Sequence, residues 1–141
     1  IAVDISEAAL EVVRVNAEQL GVADRLELRH SDWAKDLDER FDLIVSNPPY
    51  IATADIEGLE PEVSRFEPRV ALDGGPDGLV AYRIIAAALP RLLKPGGAFA
   101  LEVGLGQAES VRTMAKAVGL TVGEPWRDLQ GIPRVVVGNA A

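Results

Sequence analysis

The stretch FDLIVSNPPYI, from Phe41 to Ile51, gives the strongest indication of the fold of this chain. Its first half is an apolar run, which predicts a buried strand over Phe41–Ser46. Its second half, Asn47 to Tyr50, places an amide, two prolines and an aromatic ring directly after that strand. A proline-rich turn is the simplest interpretation, because Asn-Pro is a common turn signal. A reaction site at the end of the strand is the alternative.

Patterns typical of strands and helices alternate on both sides of this stretch. The predicted strands are residues 1–4, 25–30, 41–46, 98–104, 120–124 and 134–139. The predicted helices are residues 6–21, 78–94 and 107–119, with a possible short helix near 56–63. Pro90 lies inside the second helix and predicts a kink or an early break there. The alternation predicts an α/β fold with a mostly parallel sheet and an antiparallel pair formed by the last two strands.

Composition limits the classes of protein to consider. A chain of 141 residues with 48% hydrophobic residues is long and apolar enough for one domain with a core. The formal net charge is −8, and a groove for nucleic-acid phosphates usually needs a basic face. Nucleic acid is therefore disfavoured as the direct substrate.

The sequence offers little for metals or membranes. With no cysteine and one histidine, His30, no metal site is expected. No apolar run is long enough to cross a bilayer, so we expect a cytoplasmic protein without a membrane partner. The chain begins at Ile1 inside a predicted buried strand, so we expect it to be a fragment of a longer protein.

Acidic residues end the first two predicted strands. Asp4 precedes a helix, which suits an acid that accepts hydrogen bonds from ribose hydroxyls, although Asp4 or Ser6 could equally cap that helix. Asp32 and Trp33 follow the next strand, where a carboxylate and an indole ring could hold an adenine. A turn with a tryptophan covering the edge of the core is the alternative.

The segment Asn47–Tyr50 is suited to holding an –NH2 group. Proline has no backbone N–H and keeps the residue before it extended, so the segment is a stiff backbone that offers acceptors. The Asn47 side-chain oxygen and the Pro48 carbonyl can accept the two hydrogens of an –NH2 group. Tyr50 can stack on a planar amide or base.

These segments resemble a known enzyme family. FDLIVSNPPYI resembles the fourth motif of class I S-adenosylmethionine-dependent methyltransferases that act on exocyclic or amide nitrogens. Three further segments resemble the bacterial peptide chain release factor glutamine N5-methyltransferases: EVSRFEPRVALDGGPDGLVAYRII, LLKPGGAFALEVGLGQ and RDLQGIPRVVVG. The resemblance covers nearly the whole chain in order. It implies a Rossmann-like sheet, S-adenosyl-L-methionine as cofactor and a release factor as protein substrate, with the enzyme expected to be a monomer.

The resemblance also implies roles for the cofactor-binding residues. Asp4 corresponds to the acid that binds the cofactor ribose. Asp32 and Trp33 correspond to the contacts on the adenine. Asn47 corresponds to the residue that touches both cofactor and substrate.

Substrate binding is implied for the whole NPPY motif. Asn47, Pro48, Pro49 and Tyr50 match the glutamine-binding motif, and Asn47, Pro48 and Tyr50 are the expected catalytic residues. The segment Phe66–Pro68 is expected near the substrate channel.

One part of the family pattern is absent. The first strand of the family and the glycine-rich loop that holds the methionine part of the cofactor would precede Ile1. That strand would lie between the strands of Asp4 and Asn47, so residues 1–141 are expected to be a partial catalytic domain, from the second strand onward, that is inactive alone.

Three alternatives to release-factor methylation stay open. A ribosomal-protein glutamine is one possible target, and an adenine N6 or guanine N2 of nucleic acid is another. A non-catalytic fragment that keeps the fold is the third.

Overall fold

The computed structural model describes residues 1–141 and divides into two compact units, residues 1–38 and 39–141. The strands are β1 Ala2–Asp4, β2 Leu28–His30, β3 Phe41–Ser46, β4 Leu93–Glu102, β5 Thr121–Val122, β6 Trp126–Arg127 and β7 Pro133–Asn139. The α-helices are α1 Glu7–Gln19, α2 Pro61–Phe66, α3 Arg69–Leu72, α4 Val80–Leu92 and α5 Ala108–Ala117. None of the helices combines the length and the apolar character that crossing a membrane requires.

In residues 1–38, β1 and β2 form a parallel pair connected through α1. The helix begins as predicted, because the Ser6 hydroxyl accepts a hydrogen bond from the Ala9 N–H at 3.2 Å. It ends just before Gly21, whose φ of +66° is the left-handed conformation that often terminates a helix. Both predicted ends of α1 are therefore confirmed.

In residues 39–141, one mixed sheet has the order β3-β4-β7-β5, with β6 also paired to β7. The strands β3 and β4 are parallel, whereas β7 runs antiparallel to β4, β5 and β6. The α/β class and the antiparallel C-terminal pair are confirmed, and the antiparallel pairing extends further than predicted because β7 also pairs with β4.

The core of this second unit lies between the sheet and the helices α4 and α5, which pack on β4 and β7 and on each other. The largest fully buried side chains are Tyr82, Leu89, Leu93, Phe99, Leu101, Val103, Val111 and Val136. The Tyr82 hydroxyl donates to the Glu102 carbonyl at 2.8 Å. Burial raises the pKa of Tyr82 above its ordinary value, so this hydroxyl is a structural donor.

The predicted early break at Pro90 is wrong. The helix α4 continues to Leu92 even though Pro90 has no N–H to donate, and the Leu93 N–H still donates to the Leu89 carbonyl. The strand β4 begins at Leu93, five residues before the predicted start at Ala98, and its register against β3 is irregular in this part.

The possible short helix near residues 56–63 is replaced by two. A 3₁₀ helix covers Thr53–Gly58 and α2 covers Pro61–Phe66. Pro61 cannot continue a preceding helix but is well suited to the first turn of the next one.

Candidate active site

The segment Asn47–Tyr50 lies at the carboxyl end of β3. The Asn47 side chain is exposed and makes no hydrogen bond within the protein, whereas Pro48 is buried. No backbone N–H donates to the Pro48 carbonyl. The two acceptors that the sequence predicts for an –NH2 group are therefore unused by the protein, and their binding of substrate stays a prediction.

The next residue, Tyr50, is held from two sides. Its carbonyl accepts a hydrogen bond from Gln107 Nε2 at 2.9 Å. Its ring is half-buried and packs against the core cluster. A Cβ atom added to Gly104 would lie 2.9 Å from Tyr50 Cδ2, so the ring lies directly against the backbone after β4. Tyr50 is thus a fixed end of the NPPY segment.

Residues 52–72 form a long connection, here called the excursion, whose two ends lie beside Tyr50. Ile51 N–H donates to the Leu72 carbonyl at 3.0 Å, and Gly74 N–H donates to the Ile51 carbonyl at 2.8 Å. Asp73 Oδ1 accepts from Thr53 Oγ1 at 2.6 Å and from Gly75 N–H at 2.9 Å. These hydrogen bonds hold the pKa of Asp73 below its ordinary value. The base of the excursion is therefore closed by backbone and carboxylate hydrogen bonds.

The predicted substrate-channel segment Phe66–Pro68 lies on this excursion. The Phe66 side chain is 82% exposed, and Val70 beside it is also exposed. The structure places this segment in the excursion whose two ends adjoin Tyr50, and its contact with substrate stays a prediction.

In residues 1–38, the predicted cofactor residues lie at the carboxyl ends of the parallel strands β1 and β2. Asp4 ends β1, and the Ser31 N–H after β2 donates to the Asp4 carbonyl at 3.1 Å. Asp4 Oδ1 accepts from the Ser6 N–H at 2.8 Å, so Asp4 supports the start of α1 as the capping interpretation expected. Its side chain is exposed, and Oδ2 has no partner within the protein. That oxygen fits a ribose hydroxyl.

The loop after β2 is held by its own side chains. Ser31 is buried and its hydroxyl donates to Asp36 Oδ2 at 3.0 Å. Asp32 is paired with Lys35, an exposed ion pair that is easily exchanged for another partner. Trp33 is half-buried and has a φ of +58°, which is uncommon for a residue with a Cβ and costs of order 1–3 kcal/mol. The half-exposed indole and Asp4 Oδ2 fit a nucleoside, although adenine and ribose binding stay predictions.

Each unit thus gathers its own predicted residues: Asp4, Asp32 and Trp33 in the first, and Asn47 to Tyr50 in the second. Sequence reasoning assigned no role to Gln107 or to Asp73. The signal for Gln107 was a polar side chain directly after the glycine-rich turn that follows β4, and for Asp73 an acid next to two glycines.

This chain is similar in sequence to known methyltransferases. A family model described as "Methyltransferase small domain" matches residues 1–59. Proteins named release factor glutamine methyltransferase are similar to nearly the whole chain. That of Caulobacter vibrioides is 50% identical over 139 residues, which are 98% of this chain and 48% of the relative. That of Cereibacter sphaeroides is 51% identical over 136 residues, covering 96% and 49%.

Solved structures show the same fold. A methyltransferase from Pyrococcus furiosus superposes with a TM-score of 0.66 at 17% identity, covering 98% of this chain and 60% of that one. A ribosomal protein L11 methylase from Lactobacillus delbrueckii gives the same TM-score and identity, covering 99% and 57%. The α/β fold is therefore that of class I methyltransferases. The chain spans about half the length of the curated relatives it matches. Over nearly its whole length the chain is homologous to proteins named release factor glutamine methyltransferase, which confirms the predicted resemblance.

Proposed function

We propose that this chain is part of the catalytic domain of a glutamine methyltransferase that uses S-adenosyl-L-methionine. The proposed reaction transfers a methyl group to the N5 amide nitrogen of a glutamine in a protein. The proposed target is the glutamine of the Gly-Gly-Gln motif of a peptide chain release factor, a substrate in keeping with the names of the relatives. A monomeric protein that acts in the cytoplasm is part of the same proposal.

One observation carries the proposal. At the carboxyl end of β3, Asn47 Oδ1 and the Pro48 carbonyl are two acceptors that no group of the protein uses. They stand on a backbone stiffened by two prolines and fixed at Tyr50 by the Gln107 hydrogen bond. A primary amide has two N–H donors on one nitrogen, and such a pair of acceptors matches it.

The residues 1–38 fit the adenosine part of the cofactor. Asp4 Oδ2 is available to ribose hydroxyls, and Trp33 offers a half-exposed indole for the adenine ring. Asp32 forms an exposed ion pair with Lys35 and would give it up to accept a hydrogen bond from the exocyclic amine of adenine. When bound, the cofactor supplies an electrophilic methyl group on a sulfonium sulfur.

The main contribution of the protein to this reaction would be to position the substrate amide. The amide nitrogen is a poor nucleophile, because its lone pair is delocalised into the carbonyl. Asn47 and Pro48 would accept hydrogen bonds from its two hydrogens and so orient the nitrogen. The N–C bond would form as the bond between methyl and sulfur breaks and leaves a thioether, and one N–H proton would pass to solvent. Fixing two reactants in a near-attack geometry supplies roughly 7–11 kcal/mol of barrier reduction. The acceptors also stabilise positive charge that develops on the nitrogen.

The test is to map the methyl group. The full-length protein is incubated with S-adenosyl-L-methionine and a release factor, and the product is fragmented in a mass spectrometer. We expect one methyl group on the glutamine of the Gly-Gly-Gln motif. A release factor with that glutamine replaced by glutamate is the control and should stay unmodified.

The other outcomes separate the alternatives. A methyl group on a ribosomal-protein glutamine, with none on the release factor, would keep the amide chemistry and replace the substrate. Methylation of DNA or RNA alone would contradict the proposal. No transfer to any of these by the full-length protein would favour a non-catalytic role.

A further inference from the structure

A single side chain, Gln107, connects three segments of the second unit. Gln107 Nε2 donates to the Tyr50 carbonyl at 2.9 Å and to the Gly78 carbonyl at 3.2 Å. Its Oε1 accepts from the Gly104 N–H at 3.0 Å. Both N–H groups and the oxygen of this amide are therefore used, and the amide has only one orientation that pairs every donor with an acceptor. We call this group of hydrogen bonds the Gln107 clasp.

The three segments have different origins in the fold. Tyr50 ends the NPPY motif after β3, Gly104 follows β4, and Gly78 precedes α4. A backbone hydrogen bond from Gln107 N–H to the Gly104 carbonyl, at 3.2 Å, closes the clasp on its own side. The clasp is thus the place where the candidate substrate segment is fixed to the rest of the sheet.

The backbone of Gly78 packs closely against the clasp. A Cβ atom on Gly78 would collide with the Tyr50 carbonyl oxygen and would lie 2.7 Å from Gln107 Nε2. Gly78 also has a φ of +70°, a conformation that glycine adopts without strain. Gly78 therefore lies close against the Tyr50 carbonyl, which the Gln107 amide also holds by a hydrogen bond.

The support of Gln107 itself is rigid. It directly precedes α5, whose residues Ala108, Val111 and Ala115 are buried in the core. A side chain that begins at such a helix cannot follow Tyr50 if the NPPY segment shifts. The clasp therefore fixes the backbone at Tyr50, two residues after Pro48, relative to the core.

We propose that Gln107 is a positioning residue: its amide holds the Tyr50 carbonyl, and so keeps the Asn47 and Pro48 acceptors where the substrate amide needs them. This inference rests on the proposed function of the NPPY segment. Gln107 contacts neither reactant in this account and acts only through Tyr50. Its loss should lower turnover and leave cofactor affinity nearly unchanged.

The test compares Gln107→Glu and Gln107→Met with the wild type in the full-length protein. The glutamate side chain has the same shape but presents an oxygen to the Tyr50 and Gly78 carbonyls, which replaces two hydrogen bonds by repulsion. The methionine side chain has a similar length and removes the hydrogen bonds without adding charge, so it serves if the glutamate variant does not fold. The exposed Gln19 provides the matched control, Gln19→Glu.

We measure kcat and substrate KM at saturating cofactor, cofactor Kd and thermal stability, on whichever substrate the wild type methylates. We expect kcat to fall about 10- to 100-fold in both Gln107 variants, since small misplacements of a reacting group have effects of this size. Cofactor Kd should change less than about threefold, and Gln19→Glu should behave as wild type.

With an active wild type, two results would overturn the inference. The first is a variant with reduced thermal stability whose kcat, measured well below its melting temperature, equals that of the wild type; Gln107 would then be merely structural. The second is an equal loss in kcat and in cofactor affinity. A wild type that methylates nucleic acid and no glutamine would contradict the proposed function alone, while the ratio of kcat values would still decide the role of Gln107. A wild type that methylates nothing would contradict both.

Discussion

Residues 1–38 and residues 39–141 support their candidate site residues with very different amounts of buried structure. All eight of the largest fully buried side chains belong to the second unit. The first unit buries only Ala17, Leu37 and Ser31. Its strands have three residues each, whereas β4 in the second unit has ten. A two-stranded sheet is marginally stable by itself, and a larger sheet packed on helices is not.

The two units therefore hold their candidate site residues in different ways. The NPPY segment of the second unit is fixed by a core, by the Gln107 clasp and by the closed base at Asp73. The predicted cofactor residues of the first unit depend on short local hydrogen bonds, such as that from the Ser6 N–H to Asp4 and that from Ser31 to Asp36. We therefore expect changes in the second unit to affect stability and turnover, and changes in the first unit to affect cofactor affinity.

The largest expected effect is the loss of a core aromatic ring in the second unit. Phe99 is 1% exposed, and Phe99→Ala should lower the free energy of unfolding by about 3–5 kcal/mol, because it removes buried apolar surface and leaves a cavity. Phe66→Ala is the matched control, since Phe66 is 82% exposed and should change stability by less than about 0.5 kcal/mol. Urea unfolding of the full-length protein measures both. Equal losses would show that the buried core does not dominate the stability of this unit.

The next effect concerns the first unit alone. Asp4→Asn keeps an oxygen for the Ser6 N–H but removes the charge expected to face the ribose. We expect cofactor Kd to rise about 10-fold, in line with the strength of a hydrogen bond to a charged group, while kcat at saturating cofactor stays within about twofold. The exposed Asp24 gives the matched control, Asp24→Asn. Isothermal titration with cofactor measures the affinity, and an unchanged Kd for Asp4→Asn would assign Asp4 to helix capping only.

The smallest effect is a pH dependence at the base of the excursion. The pKa of Asp73 is held below its ordinary value of 3.8 by hydrogen bonds from Thr53 and Gly75. A lowered folded-state pKa means that the stabilisation is fully present above that ordinary value and is lost as pH falls through the lower folded-state pKa. We expect the stability difference between wild type and Asp73→Asn to shrink as the pH is lowered from about 6 to about 3 in urea unfolding. A difference that stays constant over this range would show that the Asp73 charge has no part in closing the base.

Much of the fold follows from local patterns in the sequence. The strand Phe41–Ser46, both ends of α1 and the antiparallel C-terminal pair have local signals, namely apolar runs, a serine cap and glycines. The strand β6, Trp126–Arg127, has no such signal. It consists of only two residues, both exposed. It is a strand because it pairs with β7, and not because of its local propensity.

The arrangement around the candidate site was less predictable. The Gln107 clasp joins residues 57 positions apart, and nothing in the local sequence of either shows which groups meet. The left-handed backbone at Trp33 is likewise a result of the surrounding loop and not of the tryptophan, which ordinarily avoids it. The sequence therefore yields the proposed site residues, and packing determines how they are held.

We propose that the free acceptors of the NPPY segment position the substrate amide, separately from cofactor binding. The most direct measurement is kcat and cofactor Kd of the full-length Asn47→Ala variant, beside Asn16→Ala as an exposed asparagine control. We predict that kcat falls about 10²–10³-fold, the usual effect of removing one preorganised hydrogen-bonding group, while cofactor Kd stays within about threefold. An equal loss in both quantities, or an unchanged kcat, would contradict this role of Asn47.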